Sequence, residues 1–70
     1  MPKLLSSKNT VKVLERKGFI FVSQKGSHIK YRKSGDIVLT VIVPANKKEI
    51  PYGTFRYILR QAKLKEEDFK

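Results

Sequence analysis

The only histidine, His28, is the side chain of this 70-residue sequence best suited to moving a proton. Histidine ordinarily changes charge near neutral pH. The chain has no cysteine, and no pair of acidic residues flanks this position. General acid–base chemistry would therefore depend on His28. A lone histidine beside a turn is more often a solvated surface residue, so this pattern needs further support from its surroundings.

The residues around His28 predict a turn followed by a strand. Residues 24–27 have the composition of a turn, in which glycine supplies a permissive backbone, and residues 28–32 alternate as a strand does. Alternate residues of a strand face the same side. His28 should thus share one face with two cations, Lys30 and Arg32. Such a row could hold a phosphodiester.

The charge balance indicates a polyanionic partner, with nucleic acid as the leading candidate. Lysine and arginine number 16 against 6 acidic residues, which gives a formal net charge of +10 and a pI near 10.2. A membrane surface would require a longer apolar or amphipathic segment than Ile37–Val43. We therefore expect RNA or DNA as the partner and no membrane association.

The same sequence predicts a cytoplasmic protein. Residues 1–6 are not followed by the apolar region of a signal peptide, and without cysteine the chain cannot rely on disulfides. We also expect no bound metal or cofactor, because His, Cys, Asp and Glu do not cluster at ligand spacing.

Hydrophobic periodicity and turn signals predict one α+β domain over residues 1–70. After a short tail, Ser7 should cap a helix at 8–17 that ends at Gly18. Thr54 should cap a second helix, and a last turn should return Phe69 to the core. The predicted strands are 19–23, 28–32 and 37–43, and the second helix should bury Phe55, Ile58, Leu59 and Ala62. The order α-β-β-β-α, with both helices on one face of an antiparallel sheet, is that of double-stranded-RNA-binding domains.

Five blocks of residues form an ordered set along the chain: Leu14–Phe19, Gln24–His28, Val43–Pro44, Gly53–Phe55 and Ile58–Ala62. In order and spacing they resemble the HicA family of mRNA-interferase toxins. The resemblance spans nearly the whole chain. It implies a small basic ribonuclease with a fold like that of a double-stranded-RNA-binding domain, and a HicB-type antitoxin as its partner. It also implies that the histidine of the Gly-Ser-His motif, here His28, is catalytic.

The chain departs from the family pattern at Asn46. Members of the family often carry a histidine two residues after the Val-Pro dipeptide, where this chain has an amide. An amide can hold a phosphate or ribose by hydrogen bonds but cannot exchange a proton at neutral pH. The departure predicts slower chemistry than in relatives that carry the histidine.

The lack of clustered metal ligands predicts that the RNA's own 2′-hydroxyl is the nucleophile. His28 would take the 2′ proton or protonate the leaving 5′ oxygen, while Lys30 and Arg32 neutralise the phosphorane, with Lys25 as a further candidate. A water, Tyr31 or a lysine could handle the complementary proton. Two other hypotheses stay open: an RNA-binding module without chemistry, and an interaction protein within a ribonucleoprotein.

Two surfaces follow from these predictions. Ile37, Leu39, Val41 and Val43 should face the helices, so Val38 and Ile42 should point outward. There they should form an apolar patch with either Ile20 and Val22 or Phe19 and Phe21 of the first strand. The antitoxin would cover this patch while its acidic residues meet Lys30 and Arg32 beside His28. Inhibition would then be occlusion. The predicted RNA-binding residues are Lys25, Gly26, Ser27, Lys30, Arg32, Asn46, Lys47 and Lys48.

Overall fold

A computed structural model describes residues 4–69 and confirms the order α-β-β-β-α. Residues 1–3 of the predicted tail, together with Lys70, lie outside the described residues. The elements are helix α1 (Ser7–Arg16), strands β1 (Ile20–Lys25), β2 (His28–Lys33) and β3 (Leu39–Pro44), helix α2 (Tyr52–Ala62) and a 3-10 turn (Glu66–Phe69).

The three strands form the predicted antiparallel meander in the order β1-β2-β3. A two-residue turn, Gly26–Ser27, joins β1 to β2, and Gly26 has a φ of 59°, a left-handed conformation that glycine adopts without strain. The register shifts between Phe21 and Ser23, so Val22 is a bulge in β1. Strand β2, which carries His28, is therefore held on both sides.

The hydrophobic core lies between the helices and the sheet and contains the residues that periodicity selects. Leu14 of α1, Ile58 of α2 and Val41 of β3 are completely buried. Phe69 packs edge-on against Phe55 with 5.1 Å between ring centroids, which confirms that the last turn returns an aromatic ring to the core. The four α2 residues predicted to be buried are buried: Phe55, Ile58, Leu59 and Ala62.

Both predicted helix caps are wrong. Ser6, not Ser7, caps α1, because its side chain accepts a hydrogen bond of 3.1 Å from the Asn9 N–H. Helix α2 starts at Tyr52, so Thr54 lies in the first turn of the helix instead of before it. Gly18 does follow α1 with a φ of 97°, as a residue that ends a helix should.

Two strands begin later than predicted. Strand β1 begins after Phe19, which is buried in the core. Strand β3 begins at Leu39, which pairs with Lys33 at the end of β2, so residues 34–38 form the connection between the two strands. Ile37 and Val38 thus precede β3 and are 56% and 61% exposed, and Ile37 does not face the helices as predicted.

Within residues 4–69, no helix has the length and apolar character needed to cross a membrane.

Candidate functional site

A row of cationic side chains runs along the face of the sheet that lies away from the helices. Tyr31 is buried against the core, so its neighbours Lys30 and Arg32, and His28 before them, point to the opposite side. Residues two apart on a strand are about 6.6 Å apart. Lys25 of β1 pairs directly with His28 across the hairpin. The predicted grouping of His28 with two cations on this outer face is confirmed.

Apolar side chains on the outer face are separated by this row. Ile20 of β1 pairs with Arg32, whereas Ile42 of β3 pairs with Lys30. The two cations of β2 therefore lie between the isoleucines. The expected contiguous apolar patch across the sheet does not form, because the central strand supplies lysine and arginine at the positions that would have to bridge it.

His28 lies at a groove between the end of β3 and helix α2, which we call the His28 groove. Its volume is about 520 Å³. The other residues that line it are Ile42, Pro44, Lys47, Pro51, Thr54, Tyr57 and Gln61. The groove therefore places a lysine, two hydroxyls and an amide near the imidazole of His28.

Helix α2 is held against the groove by a hydrogen bond to the outer edge of the sheet. The Ile42 N–H donates to the Gln61 Oε1 at 3.2 Å, which satisfies a backbone donor on the side of β3 that has no neighbouring strand. Thr54, Tyr57 and Gln61 are spaced i, i+3, i+7 and so share one face of α2. Sequence reasoning missed this polar stripe, although its helical spacing is visible beside the buried stripe.

The segment after β3 is fixed by hydrogen bonds to two other parts of the chain. The Ala45 N–H donates to the Ser27 C=O at 2.7 Å, next to His28. The buried Ser7 hydroxyl donates to the Pro44 C=O at 2.5 Å and accepts from the Lys47 N–H at 3.0 Å, while the Ser7 N–H donates to the Lys47 C=O at 2.9 Å. These bonds hold Lys47 beside His28 and beside α1 at once.

A second groove, which we call the α1 groove, lies between α1, the β1–β2 hairpin and the segment after β3. Its volume is about 620 Å³. Of the predicted RNA-binding residues, Asn46, Lys47 and Lys48 line it, and Lys47 lines the His28 groove as well. The other predicted RNA-binding residues line neither groove: Lys25, Gly26, Ser27, Lys30 and Arg32 lie in the β1–β2 hairpin.

Tyr31 is separated from His28 by the sheet. Its hydroxyl donates to the Glu15 Oε2 at 3.3 Å on the inner face. Burial, reinforced by the adjacent Glu15 carboxylate, raises the pKa of Tyr31 above its ordinary value. Tyr31 therefore lies on the face of the sheet opposite to His28, whereas Lys47 lines the His28 groove.

The acidic side chains of the described residues are not among those that line the two grooves. Glu66, Glu67 and Asp68 form the 3-10 turn near the end of α1, where Asp68 pairs with Lys17 at 3.4 Å. A hydrogen bond from the Lys65 N–H lowers the pKa of Asp68. Among the described residues that line either groove, none is acidic. The positive charge around His28 is thus left for a ligand.

Comparison with known proteins agrees with this geometry. A family model described as "HicA toxin of bacterial toxin-antitoxin" matches residues 7–64, which include His28 and every residue lining the His28 groove. The chain belongs to the HicA toxin family. It is therefore a toxin of a toxin–antitoxin system, with a cognate antitoxin as partner. A search of curated proteins finds no match.

Removal of the Ser7 hydroxyl should destabilise this HicA toxin. Ser7→Ala should lower the free energy of unfolding by about 1–3 kcal/mol, because it leaves the Lys47 N–H without its side-chain acceptor. Urea unfolding followed by circular dichroism measures the change. Ser23→Ala, at an exposed position of β1, is the matched control and should change stability by at most about 0.5 kcal/mol. Equal effects of the two substitutions would contradict the role given to Ser7.

Proposed function

We propose that this HicA toxin is an endoribonuclease that cleaves mRNA, with His28 as its catalytic residue. The observation that carries the proposal is the exposed imidazole at the head of a cationic row and at the mouth of a groove lined by Lys47. Such a site can hold a phosphodiester and exchange a proton with it. An mRNA substrate is consistent with the predicted cytoplasmic location.

The proposed reaction is transfer of the phosphoryl group to the neighbouring ribose hydroxyl. The 2′ oxygen attacks the phosphorus, a bond forms between them, and the bond from phosphorus to the 5′ oxygen breaks. One group removes the 2′ proton and another protonates the leaving oxygen, so the products are a 2′,3′-cyclic phosphate and a 5′-hydroxyl. His28 performs one of these transfers, which is typically worth about 10²–10⁴-fold in rate.

The remaining roles fall to groups that face His28. Lys30, Arg32 and Lys25 neutralise the charge that develops on the phosphorane, while Gly26 and Ser27 contact the RNA backbone. The complementary proton passes through a water, Lys47 or the Tyr57 hydroxyl in the His28 groove. Lys25, Lys30 and Arg32 share the outer face with the imidazole, and Lys47 and Tyr57 line the same groove, which supports the assignment.

His28→Ala should abolish cleavage while the fold and RNA binding persist. The side chain is exposed, so its loss should change stability by no more than about 0.5 kcal/mol. Cleavage of a labelled mRNA, with circular dichroism as the control for folding, measures both effects. In cells, induced expression of the parent should arrest growth and the variant should not.

Two results would contradict this assignment. A folded His28→Ala variant that still cleaves RNA would move catalysis to another residue. A parent that binds RNA without cleaving it, and whose expression is harmless, would favour the RNA-binding module without chemistry.

The proposed chemistry is independent of metal ions but sensitive to salt. Cleavage should survive excess chelator, since the ribose supplies the nucleophile, and should weaken steeply as salt rises because phosphate contacts release counterions. Initial rates with and without chelator, and over a range of salt concentrations, test both statements. Loss of activity on chelation that added Mg²⁺ restores would contradict metal independence.

We further propose that a HicB-type antitoxin covers the outer face and thereby occludes His28. Its acidic residues meet Lys30 and Arg32, while its apolar residues contact Val38 and Ile42. Lys30 pairs directly with Ile42, so the two kinds of contact lie side by side. Opposite charge speeds the encounter, and burial of apolar side chains slows dissociation.

Val38→Asp tests this surface, because Val38 is 61% exposed and does not line the His28 groove. The variant should cleave RNA as the parent does but need several-fold more antitoxin for neutralisation. The matched control is Asn9→Asp, which adds the same charge at an exposed position of α1 that lines neither groove and should be neutralised like the parent. Neutralisation of Val38→Asp at the parent's antitoxin ratio would place the antitoxin elsewhere.

A further inference from the structure

The α1 groove combines an apolar floor with a rim of positive charge. Val11 of α1, Ile29 of β2 and the buried Ala45 supply the floor. Four lysines stand around it: Lys8, Lys12, Lys47 and Lys48. Among the described residues lining this groove there is no carboxylate to neutralise them. An apolar floor within a ring of cations is complementary to a flat, apolar ligand that carries negative charge at its margins.

Two amides line the same groove. Gln24 uses its Nε2 to donate to the Gly26 C=O at 3.2 Å, and its orientation is thereby fixed with the amide oxygen still able to accept. Asn46 is exposed on a left-handed backbone with a φ of 59°, a conformation that asparagine tolerates better than most residues. Amides are the side chains that pair with the edges of unstacked bases. They favour a nucleotide over an acidic peptide as the occupant.

The α1 groove and the His28 groove adjoin at Lys47, which lines both. The hydrogen bonds of Ser7 with the N–H and the C=O of Lys47 fix this shared position. A single RNA strand that passes over Lys47 can therefore place one phosphate beside His28 and a neighbouring nucleotide in the α1 groove.

We propose that the α1 groove is a second RNA subsite, which binds the nucleotide next to the cleaved bond in a single-stranded segment. The base rests on Val11 and Ile29 beside the two amides, and the flanking phosphates contact Lys8 and Lys12. This inference rests on the proposed ribonuclease function for its substrate. The proposed subsite implies that cleavage requires a further nucleotide on one side of the scissile phosphate. It also implies that the toxin cleaves duplex RNA less well than single-stranded RNA.

The test compares two double variants that remove the same charge from different places. Lys8→Gln/Lys12→Gln alters the α1 groove, and Lys63→Gln/Lys65→Gln alters two exposed lysines after α2 that line neither groove. Each pair is made in the His28→Ala background, and binding of a fluorescent single-stranded RNA octamer is measured by anisotropy over a range of salt. Melting temperatures establish that all proteins are folded.

The groove pair should weaken RNA binding roughly tenfold and lower the slope of log Kd against log salt by about 1.4, since each single-strand phosphate contact contributes about 0.7. The control pair should leave the slope nearly unchanged. Equal slopes for the two pairs would overturn the subsite. So would a groove pair that binds RNA like the control but resists the antitoxin, because the occupant would then be a protein.

The same experiments distinguish a wrong ribonuclease assignment from a wrong RNA subsite. If the parent protein binds RNA but never cleaves it, the ribonuclease assignment fails, whereas the difference in slope between the two pairs still decides whether the α1 groove binds RNA.

Discussion

The hydrogen bonds of Ser7 to the segment Pro44–Lys47 are the constraint on which the arrangement of both grooves depends. Ser7 begins α1, while Pro44 ends β3, so these bonds tie the first helix to the last strand of the sheet. The same segment is bonded to Ser27 in the β1–β2 turn. Lys47 is consequently placed between two grooves by contacts that involve neither His28 nor any charged side chain.

The alternation of strand residues and the spacing of helix residues predicted most of the fold and the core of the site. A period of two was enough to put His28, Lys30 and Arg32 on one face, and the pattern from Phe55 to Ala62 was enough to bury α2 correctly. These features are local. The contacts of Ser7 with Pro44 and Lys47 span 37 and 40 residues, and no local pattern distinguishes an inward serine from the capping serine beside it.

Long-range packing also explains why the sequence did not predict the polar groups that α2 brings to the His28 groove, Thr54, Tyr57 and Gln61. Thr54 matched the composition of a helix cap, but Pro51 starts α2 earlier and turns Thr54 onto the face that meets the His28 groove. Gln61 was part of a family block without an assigned contact, and its bond to Ile42 depends on how α2 crosses the edge of β3. Such positions are set by tertiary packing and not by propensity.

Asn46 illustrates how the geometry changes the meaning of a sequence difference. The resemblance to relatives with histidine at this position suggested a missing group in proton transfer. In this structure Asn46 lines the α1 groove with Gln24 and Lys48, and it is not among the residues that line the His28 groove. Under the proposed subsite, a side chain there would act on a neighbouring nucleotide more readily than on the phosphate beside His28. The slower chemistry predicted from this substitution stays a prediction, and the proposal gives Asn46 a role in holding the RNA instead of in moving the proton.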